Sequence, residues 1–366
     1  MKILHIINNL GSGGAEKLLE DIIPILDEKE DVEVELLLLT GENNVFEESL
    51  RDKGIKINIL DLNNIYNPKN IILIINFIKN SNFDIIHAHL FPTLYWTSLA
   101  SKFIINKEFK LIYTEHNTHN KRRDHFFFKP IEKFIYNEYD EIISISSEVK
   151  RKLIKWLKIK NKDKVTIIEN GIDTQKFKNA ERYLKNDLCP NCCEDDIFIT
   201  MVGRFSEQKD QKTLIKVMKE LGDHTHLILV GEGQLINEHK KYTKKLNLDK
   251  RVHFLGFRDD VERVLKTSDI IVLSSHWEGF GLVAVEGMAA GKPVLASNVK
   301  GLKEIVEGAG LLFEQGNVNY LKKIINKLIH DADFYQKISQ RCSIHSGNYD
   351  IENMVQNLLE VYNKFY

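Results

Sequence analysis

The residues best placed for chemistry begin with two glutamates, Glu278 and Glu286, separated by seven residues in the stretch Glu278-Gly279-Phe280-Gly281-Leu282-Val283-Ala284-Val285-Glu286. Glycines at 279 and 281 permit a sharp entry into a helix, so the N–H groups around Phe280, Gly281, Leu282 and Val283 can face an anion along the helix dipole. Glu286 then falls on an otherwise apolar helix. An ionised carboxylate is costly to bury without partners, and two vicinal ribose hydroxyls would suit it as paired donors. A second candidate is Gly203-Arg204-Phe205, with Lys209 five residues beyond the arginine. Arginine can hold two phosphate oxygens at once and lysine adds a compact point charge, a pairing that suits a diphosphate and can replace a divalent metal. The plainer alternative is two solvated surface cations.

The first half of the chain offers further groups. A glycine-rich turn, Gly11-Ser12-Gly13-Gly14-Ala15-Glu16, opens into a helix and lets the backbone approach a phosphate or sugar. It is not a dinucleotide fingerprint, because Glu16 stands where the third glycine of G-x-G-x-x-G belongs. His87-Ala88-His89 and Glu115-His116-Asn117 are expected to follow the fourth and fifth strands, where a histidine can donate to a sugar hydroxyl or phosphate oxygen, or simply cap or fill a core. Their spacing does not demand a metal. Cys189-Pro190-Asn191-Cys192-Cys193 resembles half of a zinc site but has no evident second pair or histidine cluster, so no metal is expected. Asp331-Ala332-Asp333 spells the D-x-D of metal-dependent sugar transferases, yet its position between two predicted helices favours capping.

These groups need strands and helices to hold them. Short β-branched runs alternate with segments of helical period, which implies parallel sheets covered on both faces. The first series of strands is Lys2–Ile7, 32–39, 55–60, 84–87, 110–113, Glu141–Ser144 and 164–168, and the second is Ile197–Val202, 226–230, 252–255, Ile270–Leu273 and 293–296. Between them, residues 173–194 lose this rhythm and read as a linker. In doubly wound sheets, ligands bind beyond the carboxyl ends of the strands.

Composition sets the outer bounds. A chain of 366 residues is comfortable as two domains. With 51 basic against 52 acidic residues, no field favours nucleic acid. The opening apolar run Ile3–Ile7 is too short for a signal peptide, no run spans a bilayer, and four cysteines without an export signal point to a cytoplasmic protein.

The ordered set Gly13-Gly14-Ala15-Glu16, His116, Asn170-Gly171-Ile172-Asp173, Gly203-Arg204 with Lys209, Gly231-Glu232-Gly233 and the E-x7-E pair resembles retaining glycosyltransferases of the GT-B fold, specifically glycosyltransferase family 4, over nearly the whole sequence. The resemblance implies an α/β protein of two Rossmann-like, doubly wound domains facing across a cleft. Residues 1–172 would form the acceptor-binding domain, 195–347 the nucleotide-sugar-binding domain, and 348–366 a helix crossing back to the first. It further implies that Arg204 and Lys209 stabilise the departing diphosphate, that Glu278 contacts the donor sugar and Glu286 the ribose, and that His116 faces the donor's reacting end. The backbone at Gly14 would approach donor phosphate or acceptor, and Gly256-Phe257-Arg258 would edge the base. No metal is implied. UDP is the favoured nucleotide, and the expected reaction moves a sugar to a glycan or lipid-linked acceptor in bacterial surface polysaccharide biosynthesis, by a same-face, oxocarbenium-like route.

Lys121-Arg122-Arg123-Asp124-His125-Phe126-Phe127-Phe128-Lys129 mixes cations with three aromatics and reads either as an anionic membrane surface contact or as a solvated loop before a core helix. Two other functions stay open: a nucleotide-sugar epimerase of the same architecture, which would need no acceptor, and a non-catalytic homologue acting as a binding partner.

Overall fold

In the computed structural model every residue is described except Asp61, Asn63, Asn106, Lys107, Thr118, His119 and Asn191, together with the side chain of Lys121. The chain divides into two compact units, Met1–Gly171 with Ile351–Tyr366, and Ile172–Asp350.

The first unit is built on seven parallel strands: β1 (Lys2–Ile7), β2 (Glu33–Leu38), β3 (Lys56–Ile59), β4 (Ile85–His89), β5 (Lys110–Glu115), β6 (Glu141–Ser144) and β7 (Val165–Ile167), in the order β3-β2-β1-β4-β5-β6-β7. Successive residues of a strand face opposite sides, so strands buried on both faces read as unbroken apolar runs. Ile3 and Ile7 pack against the helix Gly14–Asp27 and the C-terminal helix Ile351–Asn363, while Leu4 and Ile6 pack on the opposite face with residues of the helices Lys69–Lys79, Thr93–Lys102, Phe128–Asn137 and Ser147–Leu157. The C-terminal helix earns its place through a stripe of Ile351, Met354, Val355, Leu358, Val361 and Tyr362, all buried in the first unit's core.

The second unit has six parallel strands: β8 (Ile197–Val202), β9 (Thr225–Val230), β10 (Val252–Gly256), β11 (Ile270–Leu273), β12 (Val294–Ser297) and β13 (Leu311–Phe313), ordered β10-β9-β8-β11-β12-β13.

Two boundaries differ from the sequence reading. The segment 173–194, expected as a linker, folds within the second unit through the helices Thr174–Asn179 and Lys185–Leu188. Its polar groups find partners there: Tyr183 N–H donates to Thr267 Oγ1 at 2.8 Å, Lys185 pairs with Asp269 at 2.8 Å and Lys176 with Glu262 at 3.2 Å. The crossing back comes at Ile351, later than residue 348. β13 is an added strand, three residues long and preceded by Gly310, too short to show a period.

Candidate active site

In the second sheet, the chain leaves β8 toward β9 on one side, while β12 lies on the other side of β11. Ligands in such sheets bind where neighbouring connections part, beyond the carboxyl ends of the strands. At this point β8 ends in Gly203-Arg204 and β11 ends in the loop running to Glu278. The loops after β8 and β11 are joined by the backbone bond from His276 N–H to Gln208 O at 2.7 Å, and the loop after β8 is tied to those after β9 and β10 by Gly203 N–H to Val230 O at 2.9 Å, Phe205 N–H to Glu232 O at 2.8 Å, and Gly231 N–H to Gly256 O at 2.7 Å. Gly231 cannot carry a side chain here, since a Cβ would stand 2.4 Å from the Gly203 carbonyl oxygen and its φ is +128°.

Arg204 is exposed, and among the described residues its guanidinium has no ion-pair partner. Lys209, expected beside Arg204 at the diphosphate, is partly buried and ion-paired. Its Nζ lies 2.5 Å from Oε1 of Glu278, which is 6% exposed and also accepts from Ser275 Oγ at 2.7 Å. Ser274 Oγ donates to the carbonyls of Lys209 and Asp210 at 3.1 and 2.8 Å, and the Asp210 carboxylate caps the helix Gln211–Met218. The lysine is therefore fixed from both ends.

The helix Leu282–Ala289 starts at Gly281, whose φ of +92° and lack of any side-chain cap leave the first backbone N–H groups without side-chain acceptors at that cap. Leu282, Val283 and Glu286 are partly exposed along it. The Phe280 ring is buried edge-on against Tyr349, with centroids 5.6 Å apart, so it fixes the loop and leaves its backbone to meet a ligand. Phe257, after Gly256 at the end of β10, is 42% exposed, and neighbouring Arg258 is bound to Asp260 at 2.5 Å and to the Tyr183 hydroxyl at 3.1 Å.

In the first unit, Gly14 opens the helix after β1, with Gly13 as its cap and no side-chain capping bond. Asn8, at the end of β1, donates to Phe91 O at 2.9 Å and accepts from Thr93 at 2.6 Å, joining the loops that follow β1 and β4. His116 follows β5 and is half-buried. Loss of hydration pushes its pKa down to about 4, so at neutral pH it is an uncharged imidazole.

His87 and His89 lie inside β4, not on the loop after it, and both are buried. They belong to a network invisible from spacing. His116 Nε2 meets His89 Nδ1 at 3.2 Å, His89 Nε2 meets His5 Nδ1 at 3.0 Å, and His87 bridges the Tyr362 hydroxyl and Thr114 Oγ1, each at 2.7 Å. A neutral imidazole donates once and accepts once, so such a chain can satisfy every member and orient His116. Of the residues weighed from sequence as metal ligands, His87 and His89 lie within 4.8 Å of each other and of His5, while Glu115 accepts from Arg123 Nη2 at 2.5 Å and from the Tyr136 hydroxyl at 2.6 Å. Asp331 caps the helix Ala332–Ser346 through Phe334 N–H at 2.9 Å.

The basic-aromatic stretch is also partly reassigned. Arg122 is held by Glu132 at 2.9 Å and lies 3.9 Å over the Phe91 ring, and Arg123 is the partner of Glu115, so neither is a free surface cation. Phe126 and Phe127 are exposed.

A parallel sheet with glycine loops, an arginine and a lysine–glutamate pair at its switch point, and a helix start without a side-chain cap can take a phosphate-bearing ligand of the kind a GT-B glycosyltransferase binds. Comparisons with known proteins agree. The family model for glycosyltransferase family 4 matches residues 12–176 and that for glycosyl transferases group 1 matches residues 191–343. An uncharacterized glycosyltransferase of Methanocaldococcus jannaschii is 30% identical over 298 residues, covering 78% of this chain and 77% of that protein. The Escherichia coli UDP-Gal:alpha-D-GlcNAc-diphosphoundecaprenol alpha-1,3-galactosyltransferase is 29% identical, covering 72% of this chain and 70% of that enzyme. In fold the chain is similar to Anabaena HepE in complex with UDP-glucose, with a TM-score of 0.86, 23% identity and all of both chains covered. The chain belongs to glycosyltransferase family 4.

Proposed function

We propose that this glycosyltransferase moves a hexose from a UDP-sugar to a glycan or lipid-linked acceptor, with retention of anomeric configuration and without a metal in the transfer step, in bacterial surface polysaccharide biosynthesis. The carrying observation is the exposed Arg204 set beside the Lys209–Glu278 pair on the loops after β8 and β11. The diphosphate lies against Arg204, Lys209 and the free N–H groups at Gly281, Leu282 and Val283; Glu286 takes the ribose hydroxyls and Phe257 borders the base. Lys209 then has two anionic neighbours, the diphosphate and Glu278, and Glu278 accepts from donor-sugar hydroxyls. As the bond from the sugar to the phosphate oxygen breaks, its electron pair leaves on UDP. The acceptor oxygen attacks the same face and passes its proton to a leaving phosphate oxygen. Stabilising the charge that develops on that phosphate is the largest catalytic contribution. The neutral His116 is assigned to a donor hydroxyl. The Escherichia coli relative's UDP-galactose donor and diphosphoundecaprenol acceptor, and the UDP-glucose in the Anabaena complex, support the choice of UDP and of a lipid-linked acceptor.

Membrane attachment is proposed on a narrower basis than cationic sequence. No helix among the described residues is long and apolar enough to cross a bilayer. Phe126, Phe127, Ile131 and Phe134 are exposed on and before the helix Phe128–Asn137, and Phe103 and Ile105 are exposed after the helix Thr93–Lys102, whose Lys102 ammonium lies 4.2 Å from the Phe134 ring centre. With exposed Lys133 on the same helix, this apolar surface suits the anionic inner face of a membrane.

Incubating the protein with UDP-glucose, UDP-galactose and UDP-N-acetylglucosamine, and a diphosphoundecaprenol-linked sugar, tests the proposal. An α-linked product, read from the anomeric proton coupling, is expected; a β-linked product or sugar release without acceptor transfer contradicts it.

A further inference from the structure

The cysteine cluster that looked like half of a zinc site acquires its other half from two strands far along the chain. Cys189, Cys192 and His253 each offer a ligand atom within 4.8 Å of the others, and so do Cys192, Asp196 and His226. His226 Nδ1 lies 3.5 Å from Cys192 Sγ and 3.0 Å from His253 Nε2. One ring nitrogen thus faces both a sulfur and a second ring nitrogen. A single proton or lone pair on it can serve only one of them, whereas a cation at their common point would serve all. For tetrahedral zinc, bond lengths near 2.3 Å to sulfur and 2.05 Å to nitrogen give ligand edges of roughly 3.6 Å for Cys–His and 3.3 Å for His–His. The Cys192–His226 and His226–His253 separations, 3.5 and 3.0 Å, lie within a few tenths of an ångström of these edges, and Cys189 lies within 4.8 Å of Cys192 and His253.

We propose that Cys189, Cys192, His226 and His253 form a structural zinc site. Two thiols lose their protons on binding, and Zn²⁺ with two thiolates and two neutral imidazoles carries no net charge. That neutrality suits the surroundings, an apolar cluster in which Cys189 and Cys192 pack with Leu188, Phe198, Ile228 and Val230. Asp196 supplies the outer contact that orients a metal-bound histidine: its carboxylate lies 3.5 Å from His226 Nε2, the nitrogen turned away from Cys192, and is itself held by Cys193 N–H at 2.7 Å and by His224 Nδ1 at 2.9 Å. Cys192 N–H also donates to Cys189 O at 3.1 Å, closing the turn that brings the two sulfurs together.

Four protein ligands make the site closed, hence structural and not catalytic. Its location agrees. His226 and His253 are the second residues of β9 and β10, at the strand starts, whereas the arginine and glycine loops of the donor site leave the opposite ends. The ion would fasten the segment after Tyr183 to the β9–β10 edge of the sheet. The site does not depend on the reaction proposed above.

The test counts metal in the purified full chain after exposure to zinc chloride and removal of loosely held ions. About one zinc per chain is expected, with the melting temperature raised by roughly 5–10 °C over chelator-treated protein. Cys193→Ser, which alters the exposed thiol outside the set, keeps the metal, while Cys189→Ser and Cys192→Ser lose it. Because those two variants can fail to fold, the wild-type chain loaded with cobalt(II) gives a second reading: intense tetrahedral absorption with a thiolate-to-metal band. Wild-type protein that takes up no stoichiometric zinc, or a cobalt spectrum without the thiolate band, overturns the proposal.

Discussion

Lys209 Nζ stands 2.5 Å from Glu278 Oε1, joining the loop after β8 to the loop after β11 by a nearly buried ion pair. The pair gives Lys209 two duties, holding the loops together and meeting a diphosphate, and the two can be separated by mutation. Lys209→Met takes this cation away from the buried Glu278 carboxylate, a loss of about 2–4 kcal/mol that lowers the melting temperature by roughly 5–10 °C. Lys209→Met with Glu278→Gln restores most of that stability but not turnover. Full turnover in the double variant would remove both residues from the reaction.

Arg204 lacks such a structural duty. Arg204→Ala is expected to leave the melting temperature within about 1 °C of wild type, since the side chain is exposed. Its kcat/KM should nevertheless fall by roughly a hundredfold to a thousandfold, the usual cost of removing one contact to a developing anion. Steady-state kinetics at saturating acceptor reads this directly, and a change below about threefold would take Arg204 out of the site.

Gly231→Ala probes how the arginine loop is held. The added methyl would meet the Gly203 carbonyl oxygen at 2.4 Å on a backbone with φ of +128°, so the loop must shift. A stability loss of about 1–3 kcal/mol is expected, together with weaker UDP binding, measured by denaturant melts and calorimetry. Unchanged UDP affinity would show that Arg204 is not positioned by this contact.

The histidine network predicts a pH dependence. Burial pushes His5 down to about 3 and His116 down to about 4, and holds His87 and His89 well below the usual imidazole value. The unfolded chain takes up protons near pH 6.5 that the folded network refuses, so stability is greatest above that pH and falls as the pH drops toward the folded values. Each refused proton contributes a slope of about 1.4 kcal/mol per pH unit. Urea melts between pH 7.5 and 4.5 should show at least that slope below pH 6, and a flat profile would contradict the burial of these rings.

The architecture was legible in the sequence where burial leaves a continuous apolar signature. β1, β6, β8 and β11 coincide with their expected limits because each is a short run rich in isoleucine, even where His5 or Thr200 interrupts it. The segment 173–194 was not, since its charges look solvated until Asp269, Thr267 and Glu262 are brought beside them by the fold. The E-x7-E stretch and Arg204-Lys209 were visible as motifs, but the Lys209–Glu278 bond spans 69 positions and has no local signal. His5, His226 and His253 were overlooked for the same reason. Each is a single histidine in an apolar strand, and only parallel pairing gathers them, His5 opposite His87, and His226 on the strand beside that of His253.

The most direct test of the donor-site assignment is calorimetric titration of the wild-type chain and Arg204→Ala with UDP and with uridine, in buffer without added divalent cation. Saturable UDP binding at least tenfold tighter than uridine binding, with that advantage lost in Arg204→Ala, is the predicted result. Equal affinity for UDP and uridine, or UDP binding that appears only with magnesium, would contradict a diphosphate held by this chain's own cations.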